Sequence, residues 1–152
     1  MTGGHHTHQS VTHAALLATL HCLTGCAIGE VLGMVIATVV GLGDLLSIAL
    51  AVALAFLFGF GLTVLSLRRA GIAFRRALSL AVASDAISIA VMEAVDNAFI
   101  LLVPGALAAG LDDGLFWWSL AASLAVAFVV TVPVNRALIV RGRGHALVHA
   151  LH

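Results

Sequence analysis

From Leu45 to Leu67 the chain runs for 23 residues without a charge or a proline. At about 1.5 Å of rise per residue, a helix of that length reaches roughly 34 Å, enough to cross a hydrocarbon layer about 30 Å thick. A backbone in lipid has no water to bond, and a helix satisfies its polar groups within the segment. The run is therefore expected to span a membrane. Three further segments read the same way. Ala14 to Val40 is interrupted only by His21 and Glu30, and Ala77 to Val103 holds Asp85, Glu93 and Asp96. Phe116 to Val140 opens on the interfacial pair Trp117 and Trp118 and carries Pro133 near its end. Breaker residues punctuate the connectors at Gly41, Gly43, Pro104, Gly105, Gly110 and Gly114. The runs do not alternate apolar and polar residues, so a β-barrel is not expected.

Composition demands the same solvent. Of 152 residues, 62% are hydrophobic and 9% charged, against about 45–50% and 25% in an ordinary soluble domain. A soluble chain of this make-up could not cover its own surface. The length suits one domain. There is no lysine, and no basic surface of the kind that binds nucleic acid. No arginine or lysine precedes the first apolar run, so a cleaved signal is not expected and the first span should be retained.

Orientation follows from the arginines. Arg68, Arg69, Arg75 and Arg76 lie between the second and third spans, and Arg136, Arg141 and Arg143 lie at or beyond the end of the fourth. The other two connectors carry only Asp44, Asp112 and Asp113. The positive-inside rule places the arginine segments in the cytoplasm of a cell whose inner membrane holds the protein. With four spans, both termini are then cytoplasmic. The polar tails 1–13 and 141–152 contain His5, His6, His8, His13, His145, His149 and His152. A solvated tail is the simpler reading, and a loose metal-collecting surface is the sharper one.

An internal repeat emerges on shifting the chain by 63 residues, which sets Ala27-Ile28-Gly29-Glu30 on Ala90-Val91-Met92-Glu93. Both segments run in the same direction, so the repeat would be parallel, with a pseudo-two-fold axis along the membrane normal. The first span has two stripes at i+4 spacing. One is His21, Gly25, Gly29, Gly33, and the other is Cys22, Cys26, Glu30, Met34. The third span has, in register, Ser84, Ser88, Met92, Asp96 and Asp85, Ile89, Glu93, Asn97. Residues four apart share a helix face, so each span has a small or polar sector suited to a bundle centre. The glycine series reads as a close-packing stripe. The expected fold is an all-α membrane protein: a four-transmembrane-helix bundle made of two helical hairpins.

The carboxyls need another explanation. An ionisable group in mid-membrane costs about 2.5–3.5 kcal/mol on insertion scales, and such groups mark function by default. No arginine or lysine lies at the depth of Glu30 and Glu93. Either a carboxyl holds its proton there or a cation is bound. The bland alternative is a set of neutral acids that lock helix packing. His21, Cys22, Cys26, Glu30 and Met34 also form a ladder of metal-binding types along one helix, joined across the repeat by Asp85, Met92, Glu93 and Asp96. Sulfur and imidazole suit copper(I), and thiolate with imidazole and carboxylate suits zinc. Taken singly, the cysteines and methionines would be ordinary packing residues.

The run from His21 to Met34, HCLTGCAIGEVLGM, and the run from Ser84 to Asn97, SDAISIAVMEAVDN, resemble a bacterial membrane family catalogued as a domain of unknown function, number forty-three ninety-six. The resemblance covers nearly all of the hydrophobic region. It implies a membrane-embedded helical domain with no established activity and, for some members, an association with copper.

The expected function is binding or transport of a transition-metal cation, copper first and zinc, nickel or iron behind. Four helices are few for a lone transporter, so a homo-oligomer or a larger membrane complex is expected. Two rivals stand beside it. One is a non-catalytic scaffold subunit, and the other is a membrane thiol redox protein using Cys22 and Cys26. The pair is spaced CxxxC rather than CxxC at a helix start, so it lacks the usual activating setting. No catalytic triad, phosphate loop or zinc-protease motif suggests an enzyme.

Overall fold

The computed structural model describes residues 3–142, with side chains described from Ser10 onward. The side chains of His5, His6 and His8, and all of Arg143, His145, His149 and His152, lie outside the described residues. Among the described residues there are four helices and no strand: α1 Gly3–Val40, α2 Asp44–Arg69, α3 Phe74–Leu102 and α4 Gly114–Val140. Each is long and apolar enough to cross a membrane. The protein is an all-helical, multi-pass membrane protein.

Local chemistry ends the helices where the breakers stand. Gly41 follows α1 at φ 76° and Gly71 follows α2 at φ 86°, a left-handed backbone that glycine enters without a Cβ clash. The Gly41 and Leu42 amides return to the Ala37 carbonyl at 2.8 and 2.9 Å, closing the end of α1. At the start of α4, the Asp113 carboxylate accepts the Leu115 amide at 2.9 Å and supplies the N-cap. The arginines Arg68, Arg69, Arg75, Arg76 and Arg141 are exposed at one end of the bundle, around the α2–α3 turn and the end of α4.

The helices pack in a square. α1 and α3 each lie against both α2 and α4, and they also meet across the centre, whereas α2 and α4 scarcely touch. The two helices that carry the polar stripes thus form the inner diagonal, as two parallel hairpins around a pseudo-two-fold axis would place them. On α3 the buried positions are Ala77, Ala81, Ser84, Asp85, Ser88, Ile89, Met92, Glu93 and Asp96, a repeat of three and four that keeps one face inward. Leu57 and Val129 are exposed on the outside, where lipid rather than water is the solvent.

The closest approach is between α1 and α2. A Cβ on Gly25 would lie 2.6 Å from the Gly59 Cα, one on Gly29 2.3 Å from the Ala55 nitrogen, and one on Gly33 2.7 Å from the Ala51 Cα. The glycine stripe therefore works as a packing surface, pairing residue for residue with Gly59, Ala55 and Ala51 of the antiparallel neighbour. The corresponding α3 positions are Ser88, Met92 and Asp96. The second hairpin is joined differently, through hydroxyl and amide groups.

Candidate functional site

Two polar levels lie inside the bundle. The one nearer the arginine end holds His21 and Cys22 of α1, Thr63 of α2 and Ser84 and Asp85 of α3. Asp85 neighbours His21, Cys22 and Thr63, and its Oδ1 accepts the Ser84 hydroxyl at 2.6 Å. The Asp85 Oδ2, the Thr63 Oγ1 and the His21 Nε2 are closed off from solvent, with the Thr63 hydroxyl within reach of the Asp85 carboxyl. Beside them a chain of hydrogen bonds ties three helices. Ser88 of α3 donates to the Asn135 Oδ1 of α4. The Asn135 Nδ2 donates to the Thr19 Oγ1 of α1 at 2.8 Å. The Thr19 hydroxyl in turn donates to the Ala15 carbonyl at 2.7 Å.

Cys22, Cys26, Ala55, Ile89, Met92 and Ala127 pack together as an apolar core next to this level. Cys22 and Cys26 are free thiols, buried to 2% and 0% exposure.

The second level holds the acids. Glu30 of α1 lies beside Asp96 and Glu93 of α3, and Cys26 lies beside both glutamates. Ser123 of α4 adjoins Asp96. Glu30, Glu93 and Asp96 are exposed to only 9%, 4% and 4%. Both oxygens of Glu30, both of Glu93 and the Asp96 Oδ1 are closed off from solvent, with Glu30 and Asp96 within reach of each other and Glu93 within reach of Cys26 and Asn97. None of these carboxyls is turned out toward lipid.

These three acids line the deep part of a cavity of about 370 Å³. The cavity extends to the loops around Gly41–Asp44 and Ala106–Gly110, at the end of the bundle opposite the exposed arginines. Its walls include Met34, Ile48, Ile100, Phe116 and Leu120. The charged residues lining it are Glu30, Asp44, Glu93 and Asp96, so every one of them is acidic. Asn97, also in the lining, donates its Nδ2 to the Glu93 carbonyl at 2.8 Å and lies beside the glutamate side chain.

The structure thus divides the candidate ligands. Glu30, Glu93, Asp96 and Met34 share the cavity, His21, Cys22 and Asp85 share the other level, and Cys26 and Met92 lie in or beside the apolar core. Among the described residues no group of three or more His, Cys, Asp or Glu side chains could hold a metal ion. The physical reason lies in the ladder itself. From His21 to Met34 it climbs about 20 Å along one helix, and successive rungs are about 6 Å apart. A metal at about 2.0–2.3 Å from each ligand needs rungs from other helices.

Several site neighbours lie on α2 and α4, where the sequence reading assigned none: Thr63, Ser123 and Asn135. A signal for the α4 pair was present. Ser119, Ser123, Ala127, Thr131 and Asn135 recur every four residues on a largely apolar helix, and all five are buried.

No curated protein and no solved structure matches the chain. A family model does match, over residues 13–144, which takes in all four spans and both polar levels. The chain belongs to the family described as Domain of unknown function (DUF4396).

Proposed function

We propose that the protein binds a cation at the acidic floor of its cavity and carries it across the membrane. One observation carries this reading: the buried acids Glu30, Glu93 and Asp96 gather at the inner end of a cavity whose lining, among the described residues, holds no basic side chain. A buried charge without a counter-charge is costly, and a bound cation supplies the one that the described lining does not. The arginines are consistent with a cytoplasmic position for their end of the bundle in an inner membrane, with both termini on that side. The cavity then faces the opposite side, and the level at His21, Thr63 and Asp85 marks the onward route.

A transition-metal cation is one form of this reading. Oxygen donors favour zinc over copper(I), while Met34 in the cavity and Cys26 beside Glu93 keep a softer ion in view, and either metal would have to draw these side chains closer than they stand. The test is equilibrium binding to full-length protein in lipid nanodiscs, using zinc, copper(I) and organic ammonium salts beside Glu93→Gln. A site at the floor gives at least one cation that the wild type binds and Glu93→Gln does not. If no cation distinguishes the two proteins, the acids are packing groups and the scaffold reading replaces this one.

A further inference from the structure

We propose that the occupant of the cavity is an organic ammonium ion: a protonated amine with its nitrogen against Glu30, Glu93 and Asp96 and its apolar part against Ile48, Ile100, Phe116 and Leu120. The inference rests on the reading of the floor as a cation site and names the class of cation.

Size is the first argument. The cavity of about 370 Å³ falls among sites for small organic ligands, which run from about 300 to 1,000 Å³. At about 30 Å³ per water molecule it has room for on the order of ten waters, far more than a bare ion fills. Donor geometry is the second. Calcium or zinc requires ligands converging to about 2.0–2.6 Å, and among the described residues no three such side chains do so. An ammonium group has three N–H donors and reaches acceptors at hydrogen-bond distance, about 2.7–2.9 Å from the nitrogen. Acceptors spread over three carboxyls on two helices suit it.

The walls are the third argument. Above the acids the lining is largely apolar, with Thr38 and Ser47 among its aliphatic side chains and Phe116 as the one aromatic among the described residues. A metal ion with its hydration shell gains nothing from Ile48, Ile100 and Leu120, whereas a hydrocarbon group loses water there. A lipid acyl chain would use the same walls, but it would leave the acids of the floor without a counter-charge. Charge at one end and apolar surface at the other fit one molecule that has both. Asp44, in the lining at the loop end, adds a further negative charge that draws such a cation toward the cavity.

The test is calorimetric titration of the full-length protein in lipid nanodiscs with benzylammonium chloride. Benzyl alcohol serves as the uncharged counterpart and zinc chloride as the metal. The variants are Glu93→Gln, which alters the floor, and Ile100→Trp, which fills the apolar wall and leaves the acids in place. Benzylammonium should bind saturably to the wild type, and benzyl alcohol should not. Each substitution should weaken benzylammonium about tenfold or more, Glu93→Gln by removing a charge-assisted hydrogen bond at the floor and Ile100→Trp by filling the space of the ring. Zinc that binds in a Glu93-dependent manner while benzylammonium does not would overturn this inference and leave the cation reading standing. Equal binding of the amine and the alcohol would overturn the charge-based account altogether. Binding of neither cation would overturn this inference. Should Glu93→Gln fail to fold, Ile100→Trp alone decides: unchanged benzylammonium affinity in that variant overturns the proposal.

Discussion

Gly29 of α1 and Ala55 of α2 face each other so closely that a Cβ on the glycine would stand 2.3 Å from the Ala55 backbone nitrogen. The obstacle is backbone, which cannot rotate away. Gly29→Ala should therefore destabilise the folded protein by about 1–3 kcal/mol, the usual cost of overpacking. Gly61→Ala is the control, because nothing lies within 4 Å of the position where its Cβ would be. Unfolding in mixed micelles should separate the two variants. A Gly29→Ala protein as stable as Gly61→Ala would show that α1 and α2 pack less tightly than described.

Asn135 joins α4 to both helices of the inner diagonal through Ser88 and Thr19. Interhelical hydrogen bonds of this kind contribute about 0.6 kcal/mol each, reaching about 1.7. Asn135→Leu removes two of them and should lower stability by about twice that amount. Combined with Thr19→Val, it should cost less than the sum of the two single changes. Strict additivity would mean that the two side chains do not bond.

Cys22 and Cys26 are sealed by Ala55, Ile89, Met92 and Ala127. A maleimide should leave both unlabelled in the folded protein and label both after denaturation. Titration with copper(I) then compares the wild type with Cys22→Ser/Cys26→Ser. A thiolate site predicts the loss of one tight equivalent in the double variant, and identical curves would count against soft-metal binding at the cysteines.

The exposed arginines Arg75 and Arg76 and the loop at Asp112 and Asp113 lie at opposite ends of the bundle. Reporter fusions after Arg76 should be active as cytoplasmic fusions and one after Asp113 as an external fusion. The reverse pattern would turn the cavity toward the cytoplasm.

The spans were legible in the sequence because lipid leaves a chain few choices. A run such as Leu45 to Leu67 carries no group that needs water, and its length is matched by the bilayer. The inward faces of α1 and α3 were legible for a related reason: Glu30, Glu93 and Asp96 cost too much outside, so their i+4 series marks the face that turns from lipid. The glycines could be recognised as a packing stripe from spacing alone, although Gly59, Ala55 and Ala51 as their counterparts required the paired backbones.

What only the tertiary structure decided is which polar residues share a level. Along one helix, Cys22 and Glu30 belong to a single stripe. In the bundle they separate, because each meets a different part of α3, Asp85 in one case and Asp96 in the other. The contributions of Thr63, Ser123 and Asn135 come from neighbouring helices, whose rotation is set by packing rather than by their own periodicity. The cavity belongs to this class as well. Its volume is what remains where Met34, Ile48, Ile100 and Phe116 from four different helices do not meet, and a gap between helices is a property of their arrangement, which no single segment encodes.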